Sequence, residues 1–391
     1  MGDKSAFVGG MKLKISELGK VITGNTPSKK IKEFWDKDDV GFVKPDIISD
    51  EHIVKIKSED CNEFISNAAI SKARIVPKNS IFVTCIGNIG KIGVATENLA
   101  FNQQINAIIP NENVNLDYLC YAIFANKTRL QDIANAPIVP LLNKSQFSEF
   151  ELEFDMDINT QTRIVHELNT VSNIILKYKQ ELLLLDELVR ARFVEMFGDN
   201  KYEELAVEKV CTSIVDCPHT TPKYNGDLRN PAIRTSEIKK GFITWDTMKY
   251  VSDEEYIERT ARLKPQQGDI VYGREGTFGN AAILPKGYKF CLGQRVMLLR
   301  PNNEFCISQY LLRALISDEV YNQALAKNNA STVAHVNVKD VKNFMIPVPP
   351  LELQNQFASF VEEIDKSRSR IQKSLKASQE LFDSLMQEYF G

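Results

Sequence analysis

Arginine, asparagine and glutamine beside glycine turns are the residues of this chain best placed for chemistry, and that chemistry is recognition of flat polar edges. An arginine fork matches the paired acceptors of guanine and an Asn or Gln amide matches adenine, each good pair discriminating by about 1–3 kcal/mol. In the first half of the chain the candidates are Thr26, Lys29, Lys44, Asn88, Lys91, Gln103 and Gln104. In the second half they are Thr221, Lys223, Arg274, Thr277, Gln294, Arg295 and Ser331, with Arg274 and Arg295 as the expected guanine readers. The competing reading of each residue is plainer: the glycines close hairpins, Gln103 and Gln294 satisfy loop backbone, and the charges stand in solvent.

Signatures of bond-making chemistry are missing. The Gly87-x-x-Gly90 and Gly276-x-x-Gly279 segments fit neither the phosphate-loop nor the dinucleotide spacing. No Asn/Asp-Pro-Pro-Tyr segment and no nucleophile elbow occurs. His52, His166, His219 and His335 have no ligand spacing, and the seven cysteines are scattered without a Cys-x-x-Cys pair, so reduced and mostly buried thiols are expected. No catalytic, cofactor-binding or metal-binding residue is assigned.

These candidates sit in a chain of 391 residues, 43% hydrophobic and 25% charged, enough to bury a core in each of about two domains. Net charge is only −3, so any attraction to nucleic acid must be local. It is local: six basic residues face two acids between Leu263 and Pro301, and Lys72, Arg74, Lys78 and Lys91 face Glu97 alone between Ser71 and Pro110. Apolar runs such as Leu182 to Leu185 are too short to span a bilayer. No secretory leader opens the sequence and Ala6 stands where a myristoyl signal needs Ser or Thr, so a cytoplasmic, membrane-free protein is expected.

The elements that position the candidates come in two copies. Ile81-Phe82-Val83 before Gly87 and Gly90 matches Ile270-Val271-Tyr272 before Gly276 and Gly279. Gln103-Gln104-Ile105 with Pro110 falls on Gln294-Arg295-Val296 with Pro301, Tyr118-Leu119 on Tyr310-Leu311, and Thr26-Pro27 on Thr221-Pro222. The duplication covers 12–198 and 205–391. Each copy reads as a mixed α/β (α+β) globule of short strands, with helices near Leu116 to Ala134 and Ser308 to Ala326.

Each copy closes in a long helix. Ile164, Leu168, Val171, Ile175, Tyr178, Leu182, Leu185, Val189 and Met196 follow a heptad seam in which Arg192 fills one slot. Phe357, Val361, Ile364, Ile371, Leu375, Phe382, Leu385 and Tyr389 repeat it, interrupted by Arg368 and Ser378. Both stretches end in Phe-Gly, at Gly198 and Gly391, where a left-handed glycine stop is expected. Each would extend about 55–60 Å, and chain order makes the pair antiparallel. The predicted organisation is a first domain at 12–158, a spacer helix at 159–198, a second domain at 205–348 and a spacer helix at 349–391, with the two helices packed as an antiparallel coiled coil.

With these features in hand the chain resembles the specificity (S, HsdS-like) subunits of type I restriction-modification systems. The resemblance spans about 12–391 and rests on Leu18 through Thr26-Pro27, the twinned Gly-x-x-Gly segments, Asn143 and Asn337, and the run from Arg190 through Arg192-Phe193 and Glu195-Met196-Phe197-Gly198. It implies two target recognition domains that each read one half of a split double-stranded DNA target, with the helical spacer setting the gap. It also implies a subunit without an active centre that recruits two methyltransferase (M) subunits and restriction (R) motor-nuclease subunits. S-adenosylmethionine, ATP and magnesium would then belong to those partners and none to this chain. The reading from another class is a coiled-coil scaffold whose globules bind proteins rather than DNA.

Overall fold

A computed structural model describes residues 10–134, 140–198, 202–226, 229–275, 279–327 and 336–391. The chain divides into two compact units, one of residues up to Lys179 together with Lys373–Gly391, the other Gln180–Gln372.

In the first unit, Gly19–Thr23, Ile105–Pro110, Ile81–Thr84, Ile92–Ala95 and Val54–Ile56 lie in that order in a five-stranded sheet, antiparallel except for the last pair. Ile81–Thr84 and Ile92–Ala95 are buried along their whole length, which is why they read as continuous apolar runs without alternation. A second sheet orders Phe64–Ile65, Val40–Val43, Leu99–Phe101 and Ile75–Val76, with Val40–Val43 and Leu99–Phe101 parallel. Asn115 caps the helix Leu116–Ala125 by accepting from the Tyr118 amide at 3.1 Å.

The second unit repeats this plan. Cys211–Asp216, Val296–Pro301, Ile270–Gly273 and Ala281–Ile283 form one antiparallel sheet. The other orders Tyr224–Asn225, Lys249–Val251, Asn230–Ile233 and Cys291–Leu292, again with one parallel pair, Asn230–Ile233 and Cys291–Leu292. The helices Ser308–Leu315 and Asp318–Lys327 stand where sequence periodicity places them. Asn143 and Asn337 both occupy helix N-cap positions, and the Asn143 side chain accepts from the Gln146 amide at 2.9 Å.

The long helices run Ile158–Phe197 and Leu351–Phe390. Asp157 starts the first by accepting from the Thr160 hydroxyl at 2.7 Å and amide at 3.1 Å, bonds that hold its carboxyl below the usual range. In each unit a segment of one helix packs against an oppositely running segment of the other. In the second unit Asp186 meets Arg368 at 2.7 Å while Phe193 meets Phe357 at 5.5 Å between ring centroids. In the first, Glu167 accepts from the Tyr389 hydroxyl at 2.5 Å, and Ile164 and Leu168 share a core with Met386 and Tyr389. Ile164, Leu168, Val171, Ile175 and Phe357 are buried; Leu182, Leu185, Val361, Ile364, Ile371, Leu375, Phe382 and Leu385 are half-buried. Arg368, an interruption of the seam by sequence, is thus an ion pair between helices, worth under about 1 kcal/mol at this exposure but specific for register.

Each helix end serves the core of the other repeat's globule. Phe197 closes on Tyr310 at 4.9 Å and Phe390 on Tyr118 at 5.1 Å, which explains the shared Phe-Gly endings. The expected left-handed stop is corrected at Gly198, which is absent from the residues with positive φ. Its N–H bonds the Val194 carbonyl at 2.7 Å, and a Cβ there would come within 2.6 Å of that oxygen. All seven cysteines are free and all but the half-buried Cys211 are buried, with burial pushing the Cys61 and Cys85 thiols up to about 12. Among the described residues no helix is long and apolar enough to cross a membrane.

Candidate nucleic-acid interface

Two of the parallel strand pairs, Val40–Val43 with Leu99–Phe101 and Asn230–Ile233 with Cys291–Leu292, each deliver a glutamine to a loop. Leaving Leu99–Phe101, the Asn102 amide bonds the Val43 carbonyl at 3.1 Å; leaving Cys291–Leu292, the Gly293 amide bonds the Ile233 carbonyl at 2.7 Å. Two residues on, the Gln104 carbonyl accepts from Cys85 at 2.8 Å and the Arg295 carbonyl from Arg274 at 3.0 Å. Backbone fixed at equivalent points in both units leaves the side chain between them pointing to the same neighbour. Thr26 Oγ1 donates to Gln103 Oε1 at 2.7 Å, and Gln294 Nε2 donates to Thr221 Oγ1 at 2.9 Å.

Both pairs are surface pairs. Thr26, Gln103 and Thr221 are exposed and Gln294 is half-buried, while the prolines after each threonine, Pro27 and Pro222, are buried and anchor the loop. A glutamine amide carries two donors and an acceptor, so each pair retains capacity for a base edge after its mutual bond. Beside the first pair, Asn25 Nδ2 donates to the Lys72 carbonyl at 2.6 Å, which brings the segment of Lys72 and Arg74 to this loop. Lys72, Arg74 and Lys78 are exposed and form no ion pair among the described residues, as do Lys286 and Lys289 in the second unit.

Several predicted contacts are placed otherwise. Arg274 is 5% exposed and its guanidinium meets Asp216 at 2.8 Å and the Val336 carbonyl at 3.5 Å; the expectation of a guanine reader there is corrected, because a buried guanidinium paired with a carboxylate is closed to a base edge. Arg295 is exposed, in the left-handed region at φ 65°, and pairs with Glu275 at 2.8 Å. Lys29 and Lys44 both pair with Glu63, so neither stands free for a phosphate. Burial opposes the Glu63 charge, but the two lysines more than offset it and hold the carboxyl below its usual range. Gln104 folds back onto Asn102 at 2.9 Å, Asn88 donates to Asp50 at 3.1 Å, and Lys91 reaches the Pro45 carbonyl at 3.5 Å. Lys223 is exposed, with its amide donating to Glu255 at 3.3 Å. Thr277 and Ser331 lie outside the described residues.

The second glycine of each twinned segment has a backbone role. Gly90 and Gly279 adopt φ of 88° and 85°, and a Cβ would come within 2.8 Å of Lys127 or 2.9 Å of Tyr321, so only glycine fits these turns.

Sequence reasoning passed over the buried polar residues behind the second loop. Glu237 is fully buried and accepts from Arg234 at 2.5 Å, Ser236 at 2.7 Å and Thr247 at 2.8 Å. Burial raises its carboxyl, yet these bonds prevail and leave it below the usual range. Arg259 and Glu255, also buried, were equally invisible; the only signal was a helix-spaced acid–base pair, common on solvated faces.

With the duplicated geometry established, the family comparison is decisive. The family described as type I restriction modification DNA specificity domain matches residues 9–184 and again 226–380. The chain belongs to this family. Among the relatives of this specificity subunit, the type I restriction enzyme MjaIX specificity subunit of Methanocaldococcus jannaschii is 24% identical over 403 residues, covering 95% of this chain and 90% of that one. The HindI specificity subunit of Haemophilus influenzae is 34% identical over 142 residues, 35% of this chain and 30% of its own. The S subunit of a type I restriction-modification system from M. genitalium shares the fold, with a TM-score of 0.59 at 14% identity, covering 100% of this chain and 98% of that one. This specificity subunit is a DNA-recognition protein of a restriction-modification system.

Proposed function

We propose that each globule of this subunit reads one half of a two-part double-stranded DNA target, with the Thr26–Gln103 pair facing one half and the Thr221–Gln294 pair the other. The observation that carries the reading is the recurrence of this pair on equivalent surface loops of the two units. Exposed Lys72, Arg74, Lys286 and Lys289 supply the phosphate contacts that orient a reader without specifying sequence. Two methyltransferase subunits and restriction subunits join it in the cytoplasm and bring S-adenosylmethionine, ATP and magnesium; this chain holds none of them and performs no catalysis. Leu183, Leu184 and Leu188, 65%, 52% and 46% exposed on the first long helix, offer partner chains an apolar surface.

The experiment is a salt titration of DNA binding by the subunit assembled with its methyltransferase. Log affinity is expected to fall linearly with log salt, with a slope of about −0.9 per phosphate contact. Lys72→Ala should reduce that slope by about one contact. Binding that ignores salt, or no binding by the assembly, rejects the reading in favour of a protein-binding scaffold.

A further inference from the structure

Behind the second loop, one buried guanidinium ties together the two chain segments that carry Thr221 and Gln294. Arg259 ends the helix Asp253–Arg259 and is 6% exposed. Its Nε donates to the Leu292 carbonyl at 2.9 Å, and Nη2 to the carbonyls of Thr220 at 3.1 Å and Gly293 at 3.5 Å. Nη1 donates to Thr220 Oγ1 and to Glu255 Oε1, both at 3.3 Å. Glu255 then accepts from the Lys223 amide at 3.3 Å. Residues 220 and 223 flank Thr221, and residues 292 and 293 lead directly to Gln294.

The first unit holds only the residue before its threonine, and does so with an amide. Asn25, which precedes Thr26 as Thr220 precedes Thr221, donates to the carbonyl of Lys72, the last residue of the helical turn Asn67–Lys72. Both units therefore tether the residue before the threonine to the end of a short helical segment. Only the second does so with an ion pair. Five donors in a rigid plane suit this job: a lysine at 259 would keep the charge and lose the fork that reaches both loops.

We infer that Arg259, held by Glu255, is a positioning residue for base recognition by the second domain: it fixes the spacing of Thr221 and Gln294 without touching DNA. The inference rests on the reading that this pair faces one half-site.

The test uses the subunit assembled with its methyltransferase and a panel of duplexes carrying single base changes in each half-site. The half read by the second domain is identified as the half whose preference changes in Gln294→Ala. Arg259→Gln and Arg259→Lys are both expected to lose about tenfold in discrimination within that half, within the range one base contact supplies. Discrimination in the other half and the salt slope should stay as in the parent. Glu255→Gln keeps the guanidinium bonded to backbone and should lose less, which covers the case in which Arg259→Gln fails to fold. Full discrimination by the Arg259→Lys variant, equal loss in both halves, or a reduced salt slope overturns the inference. A parent assembly that gives no two-part preference would instead sink the underlying reading, and the inference with it.

Discussion

Alanine in place of Gln354 is expected to destabilise the second unit by about 2–3 kcal/mol, because it strands one buried and two part-buried backbone groups, each worth up to roughly 1–3 kcal/mol where water cannot replace the bond. Gln354 is fully buried in the first turn of the second long helix. Its Oε1 accepts from the Ile307 amide at 3.0 Å, and its Nε2 donates to the carbonyls of Phe305 and Pro349, both at 2.8 Å. One side chain thus joins the start of the spacer helix to the loop that launches Ser308–Leu315. Gln161 repeats the device in the first unit, accepting from Asn115 at 2.8 Å and donating to Asp155 at 2.6 Å. Urea unfolding should show Gln354→Ala shifting the transition of the second unit, and Gln161→Ala, with fewer groups stranded, shifting the first by less. Gln354→Glu should be no milder than alanine, since a carboxylate oxygen would face two carbonyls. A loss under about 1 kcal/mol for Gln354→Ala would mean that water replaces the amide.

The second large effect concerns sequence preference. Gln103→Ala is expected to remove about 1–3 kcal/mol of discrimination at a base of one half-site and to leave the other half unchanged, and Gln294→Ala the converse. The contrast with Lys72→Ala separates reading from attraction, since losing a phosphate contact weakens all sequences alike. Selection from duplexes randomised in both halves reads the outcome. If both glutamine variants keep the parent preferences, the amides serve only their threonines.

Much of this architecture was legible in the sequence because duplication is visible as self-similarity, and because helix and strand periodicities follow from which face is buried. The pairing of Thr26 with Gln103 was half legible: both were candidates, but nothing local shows that two loops so far apart in sequence converge. Charge pairing was hidden for the same reason. Arg274 looked like a base reader beside a glycine turn, and only the fold brings Asp216 to it. Lys29 and Lys44 are DNA-contact candidates by sequence, and only the fold brings Glu63 to both of them. Arg368 looked like a defect in the heptad seam because a seam position reveals its partner only once the opposed helix supplies Asp186. Gln161 and Gln354 both stand fourth in their long helices, yet a polar residue at a helix start reads as solvated until its backbone partners are seen.

The claim beneath all of these is that two similar globules read two separate stretches of one DNA molecule. Mapping the preferred target of the assembled methyltransferase from fully randomised duplexes tests it most directly. The account predicts two short specified blocks separated by unspecified positions, with Gln103→Ala altering one block and Gln294→Ala the other. A single uninterrupted block, or one block altered by both substitutions, would contradict it.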